Sequence, residues 1–176
     1  MRNTEILTRS LSLEDIEKLF LNYTECVFLN SNEDVSISYL ALGIKAEFKH
    51  KENQVFDGLT QFVDEHQDWV FGYLGYDLKN EVEPSLSSKN KDELEFESTH
   101  FFVPEIVCEL SPEFTKVHFQ KKEEKERLLT FLDGKTTKNK ENTQNITFSQ
   151  RMSQDNYEQR FEAIKEHIQQ GDIYEM

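Results

Sequence analysis

Five histidines, two cysteines and an excess of carboxylates are the residues of this 176-residue chain that could do chemistry. His50, His66, His100, His118 and His167 stand at no metal-ligand spacing to one another or to Cys26 and Cys108, so no metal site is assigned within the chain. Asp64, Glu65 and Asp68 cluster around His66, a grouping that a charged helix end explains better than a catalytic acid and base. Phosphate-loop, dinucleotide-glycine and serine-elbow patterns are missing. No catalytic residue is assigned on residue types alone. Cys26 and Cys108, far apart and without paired spacing, read as reduced, buried thiols.

Charge and composition narrow the classes further. Thirty-four acidic against twenty basic residues give a formal charge of -14, which repels nucleic-acid phosphate and anionic lipid. The charges alternate in sign along the chain, the pattern of a solvated surface. A hydrophobic fraction of 36%, with 14 Phe and 6 Tyr against 6 Gly and 3 Pro, describes a globular chain with an aromatic core. No apolar run follows the basic residues at the N-terminus and none is long enough to span a bilayer, so a cytoplasmic protein is expected. The sequence has no internal repeat of fixed period.

The elements that must position any site follow from periodicity. Ser12 caps a short amphipathic helix over Leu13, Ile16, Leu19 and Phe20, ending near Asn22. Glu25 to Leu29 reads as a strand, Val35 to Ala46 as a second, and Glu47 to Lys51 as its continuation past Gly43 into a third. Val55, Phe56, Leu59, Phe62 and Val63 share one helical face. Trp69 to Tyr76 is a nearly unbroken apolar run, read as a strand buried on both faces around which the rest packs. Gly72 and Gly75 inside it imply a close backbone approach or a bend.

Glu81 to Ser98 is polar and reads as a long surface loop. Phe101 to Cys108 resumes strand character, with Pro104 placing its start at an edge or bulge, and Thr115 to Gln120 alternates as its hairpin partner. A helix-prone stretch from Lys121 stops at Asp133-Gly134. These residues make a domain over 1–132, followed by a linker over 133–145 and a further region over 146–176. In that region Ile146 to Gln150 reads as a short strand and Ser153 caps a helix carrying Tyr157, Phe161, Ile164 and Ile168. Gly171 stops the helix, and Asp172 to Met176 begins a strand that runs out, as in a cut chain. The expected fold class is α+β, with a mixed, mostly antiparallel sheet under covering helices.

Three stretches carry a resemblance: FGYLGYDLKNEVEP, then FFVPEIV, then SQDNYEQRFEAIKEHIQQGDIYEM. In order and rough spacing they resemble component I of the chorismate-utilising synthases, the anthranilate and aminodeoxychorismate synthases. The glycine-rich strand and its Tyr-Asp-Leu are matched by Gly72, Gly75, Tyr76, Asp77 and Leu78. The helix that opens the family's chorismate-binding portion is matched from Tyr157 to Gly171, Asp172, Ile173 and Tyr174. The resemblance covers nearly the whole chain, loosely over residues 1–66.

The resemblance implies amination of chorismate with ammonia from a glutaminase subunit, with Mg2+ holding the substrate carboxylate and assisting loss of the hydroxyl. It places the chorismate contacts, the magnesium glutamates, the catalytic histidine and the nucleophilic lysine of the aminodeoxychorismate branch downstream of Tyr174, so this stretch alone is expected to be inactive. The family's Leu-Leu-Glu-Ser element, whose serine helps hold tryptophan, is matched by Phe28-Leu29-Asn30-Ser31 with the glutamate replaced. Ser38-Tyr39 stands where a Tyr-Ser-Arg-like motif would line that pocket, without its arginine. Ser31, Ser38 and Tyr39 are thus the implied tryptophan-type pocket, with strand termination by Ser31 as the alternative. Tyr174, where the anthranilate branch more often has Phe, favours the aminodeoxychorismate branch. Anthranilate synthase, a stand-alone amino-acid-binding module and an interaction domain without a small ligand are the alternatives.

Overall fold

The computed structural model describes residues 1–32, 37–50, 55–83, 85, 95–134 and 147–174. The chain forms two compact units, Met1–Thr136 and Thr137–Met176. In chain order the first holds β1 (Asn3–Leu7), α1 (Leu13–Asn22), β2 (Cys26–Leu29), β3 (Ser38–His50) and α2 (Val55–His66). It continues with β4 (Phe71–Leu74), a 3-10 turn (Tyr76–Leu78) running into α3 (Lys79–Val82), β5 (Thr99–Leu110), β6 (Thr115–Phe119) and α4 (Lys122–Asp133). The second unit holds α5 (Gln154–Gln170).

Ser12 starts α1 through a reciprocal cap: its hydroxyl accepts from the Asp15 N–H at 3.2 Å, and the Asp15 carboxylate accepts from the Ser12 N–H at 3.0 Å. Leu19 and Ile16 then face inward. Leu128 and Leu132 of α4 do the same, and the two helices cover one face of the sheet. Leu40, Leu42, Ile106, Cys108 and Val117, all fully buried, complete that core. Burying each such leucine contributes about 1.5–3 kcal/mol.

All strand pairs are antiparallel, in the order β1-β6-β5-β3-β2, with β4 also paired to β5. The strand at the centre is β5, not the Trp69 to Tyr76 run. Phe71 to Leu74 alone is extended there, it pairs only with Thr99 to Phe102, and only Phe71 among its four residues is buried. Trp69, Tyr73 and Leu74 lie exposed by 38%, 42% and 52%, a pattern that a count of apolar positions cannot separate from double-sided burial. The glycines do meet backbone: a Cβ on Gly72 would lie 2.1 Å from the His100 carbonyl oxygen, and one on Gly75 would lie 2.8 Å from that of Ser98.

Strands expected as two over 35–51 are one, interrupted by a bulge rather than a turn. Ile44 pairs with Pro104 but Ala46 with Val103, so Lys45 is the extra residue, and Gly43 enters the bulge at φ +70°. Val35, Ser36 and Lys51 lie outside the described residues. Pro104 sits opposite this bulge, buried inside the central strand rather than at its start. Of the polar stretch 81–98, Glu81 and Val82 belong to α3, and 84 and 86–94 lie outside the described residues.

In the second unit Ser153 caps α5 by accepting from the Asn156 N–H. Gly171, at φ +80°, closes it: its N–H reaches the Ile168 carbonyl and that of Asp172 reaches His167. No residue of α5 is buried. Neither 147–150 nor 172–174 is a strand, because alternation without a partner edge does not hold extended backbone. Ile146, Glu175 and Met176 lie outside the described residues.

Candidate functional site

On one side of β5 the neighbours are discontinuous. Strand β4 pairs as far as Phe102 and β6 begins at Val107, which leaves 103–106 without a strand neighbour there. Unpaired backbone carbonyls inside a sheet are costly, and the guanidinium of Arg2 satisfies them. Its Nη1 donates to the Glu105 carbonyl at 2.8 Å, Nη2 to the Pro104 carbonyl, and Nε to Asp68 Oδ1 at 2.7 Å. Both side chains of this ion pair are nearly buried, at 6% and 11% exposure. Burial acts to raise the Asp68 carboxyl, but the Arg2 guanidinium, the Trp69 N–H and the Lys45 ammonium together hold it below the ordinary carboxylate value.

The bulge aims Lys45 at the same place. Its ammonium donates to Gln120 Oε1 at 2.8 Å and lies 4.0 Å from Asp68 Oδ2, which also accepts from Gln120 Nε2 at 3.1 Å. Beside this network an open cleft of about 620 Å³ is lined by Arg2, His66, Gln67, Asp68, Trp69 and Gln120, with Met1 at its edge. Trp69 is 38% exposed. Its ring is held by Phe71, stacked at 6.2 Å, by Tyr39 at 5.5 Å and by His118 at 6.1 Å between centroids.

Next to Trp69, Glu109 Oε1 lies 2.6 Å from His118 Nε2, and His118 Nδ1 lies 2.9 Å from the Thr4 hydroxyl. Hydroxyl, imidazole and carboxylate in that order are the components of an acyl-transfer triad. Here they are cross-strand neighbours: Thr4 pairs with His118 in the register, and Glu109 pairs with Lys116, which bonds the same carboxylate at 3.2 Å. Thr4 stands exposed on an edge strand, so the line is a side-chain ladder that ties β1 to β6 and β5. Burial raises the Glu109 carboxyl, while its bonds from His118 and Lys116 lower it further and win.

The residues implied by resemblance fall in three places. Ser31 and Ser38 meet at the mouth of the β2–β3 hairpin, where the Ser31 N–H donates to Ser38 Oγ at 3.2 Å and Ser38 Oγ donates to Asn30 Oδ1 at 3.3 Å. Tyr39 stands beside them but turns its ring to Trp69. Tyr76 is 84% exposed with the Lys79 ammonium 4.6 Å over its ring, and Lys79 pairs with Asp77 at 2.8 Å. Gly171 and Asp172 close α5, with Asp172 Oδ2 2.8 Å from His167 Nδ1, and Tyr174 is exposed.

His66 bonds the Phe62 carbonyl at the end of α2, and Asp64 offers its backbone carbonyl to Gln67, so that cluster is a helix end. Asp68 is the exception. Arg2, Lys45, Asp68 and Gln120 form one bonded network with Trp69 beside it, and sequence reasoning assigned none of them a functional role. The bond from Arg2 to Asp68 spans 66 residues, and no local spacing reports it. Burial pushes the Cys26 thiol up to about 11 and that of Cys108 up to about 12, so neither is a nucleophile near neutral pH. Among the described residues there is no group of three or more His, Cys, Asp or Glu that could hold a metal ion.

No curated protein matches the chain. The sequence model of the family described as chorismate binding enzyme matches residues 24–176, from just before β2 through all of α5. That stretch includes both glycine positions that admit no side chain and the helix with its Gly171 stop, and on it the chain belongs to the chorismate-binding enzyme family.

Proposed function

We propose that this chain is the amino-terminal part of a chorismate-aminating synthase of the aminodeoxychorismate type. The family match over 24–176 is the observation that carries the reading. In that enzyme chorismate and ammonia give 4-amino-4-deoxychorismate for 4-aminobenzoate and folate synthesis, the ammonia coming from a glutaminase subunit. Tyr174 and the replacement of the family's glutamate by Asn30 favour this branch over anthranilate synthesis. Magnesium and the reacting groups belong, on this reading, to the family's positions downstream of Tyr174. The first unit then supports the chorismate-binding portion and offers surface to the glutaminase. Ser31, Ser38 and Tyr39 are the proposed remnant of the tryptophan-type pocket.

Two measurements test the proposal on the chain as it is. Titrated with glutaminase subunits of the two branches, it should bind the folate-branch subunit. Preference for the tryptophan-branch subunit would favour anthranilate synthase instead, and binding to neither would leave the stand-alone module. Incubated alone with chorismate, ammonium and magnesium, it should yield neither 4-amino-4-deoxychorismate nor anthranilate, and turnover would contradict the reading.

A further inference from the structure

The Trp69 cleft has a built character that the fold does not require. A sheet can be closed without a bulge, yet β3 carries one, and the residue it adds, Lys45, sends its ammonium across to Gln120 and Asp68 on the wall of the cleft. Asp68 is already engaged, with Oδ1 accepting from Arg2 Nε and the Trp69 N–H, and Oδ2 accepting from Gln120 and lying 4.0 Å from the Lys45 ammonium. Its charge is matched by that of Arg2. The Lys45 side chain is 42% exposed and its ammonium, with three donors, spends one short bond on the neutral amide of Gln120, which lines the cleft. In a chain of net charge -14 this is a locally cationic spot.

The indole supplies the second half of a site. Three neighbouring rings hold it in place, and an indole that is 38% exposed and already fixed loses little freedom when a ligand packs on it. An anion placed against Lys45 and a ring placed against Trp69 can belong to one small molecule, given about 620 Å³ of space.

We propose that the cleft between Trp69, Gln120 and Lys45 binds a small planar-ring carboxylate, its ring stacked on Trp69 and its carboxylate held by the Lys45 ammonium and the Gln120 amide. Neither Ser31 nor Ser38 lines this cleft, although the Tyr39 ring packs on Trp69 at 5.5 Å, and the proposal does not depend on the amination reading.

Trp69 is the sole tryptophan of the chain, so its fluorescence reports the cleft directly. The intact chain is titrated with benzoate and, separately, with benzamide, its neutral counterpart of the same shape. Benzoate should change the emission saturably, with benzamide weaker by about tenfold, as expected for losing a charge-assisted hydrogen bond. Lys45→Met should weaken benzoate by a similar factor and leave benzamide unchanged. Because Lys45 is a partly exposed side chain, its melting temperature should stay at the parent value, which separates lost binding from lost folding. Ser31→Ala should leave both titrations as they were. Non-saturable quenching, equal affinities for the two probes, a Lys45→Met chain that binds benzoate as before, or a loss of binding in Ser31→Ala would each overturn the proposal.

Discussion

The two faces of the sheet are made of different material. Under α1 and α4 the side chains are mostly leucine, with isoleucine, valine, cysteine and the rings of Tyr23 and Phe119, and the thiols there are inert. The smaller cluster of Ala41, Phe71, Phe102 and Val107 on β3, β4 and β5 draws only strand residues and borders the aromatic platform of Trp69. Near that platform lie a buried ion pair, an aimed lysine and an open cleft. The first region holds the fold by dry packing, which is non-directional and tolerant. The second holds it by a few directional bonds, which leave polar groups in fixed positions where a ligand can meet them.

Breaking each region in turn sharpens the contrast. The largest effect is expected from Arg2→Ala, which strands Asp68 and two carbonyls inside the sheet; a loss of about 3–5 kcal/mol is expected by denaturant unfolding. Leu128→Ala under the helices should cost about 2–5 kcal/mol from the lost burial and the cavity it leaves, while leaving the native emission of Trp69 as it was. Gly72→Ala forces β4 away from the His100 carbonyl and should cost about 1–3 kcal/mol, with a shifted Trp69 emission as its signature. Ser12→Ala removes one cap bond and should cost about 1 kcal/mol with no spectral change.

Acid should act on both regions. Asp15, Asp68 and Glu109 are each held below their ordinary values of 3.8, 3.8 and 4.5. A depressed folded-state value means that the unfolded chain takes up protons first, so their contribution is complete above those ordinary values and is lost as pH falls below them. Unfolding followed as a function of pH should therefore show an acid limb starting near pH 4.5, and Asp68→Asn should shallow it.

Local signals in the sequence were sufficient for local structure. The Ser12 and Ser153 caps, the Gly171 stop, the alternation of 115–119 and the close approach at Gly72 all follow from a few neighbouring residues. What joins distant segments was not legible. The apolar run at 69–76 has the composition of a central strand, and only pairing partners distinguish it from the largely buried Thr99–Leu110. Lys45 looked like an ordinary strand residue because a bulge is a mismatch between two strands, not a property of one. Arg2 and Asp68, 66 residues apart, carry no mutual signature, and the tail residues 172–174 show that alternation without a partner is not a strand.

Native-state hydrogen exchange of the intact chain tests most directly the claim that β5 is the centre and the glycine-rich strand a pinned outlier. The amides of 107–110, in the stretch paired on both sides, should exchange only with global unfolding, whereas those of 71–74 should exchange through local opening at much lower free energy. Equal protection of the two segments would mean that the glycine-rich strand is part of the stable centre, and would contradict the division of the sheet described above.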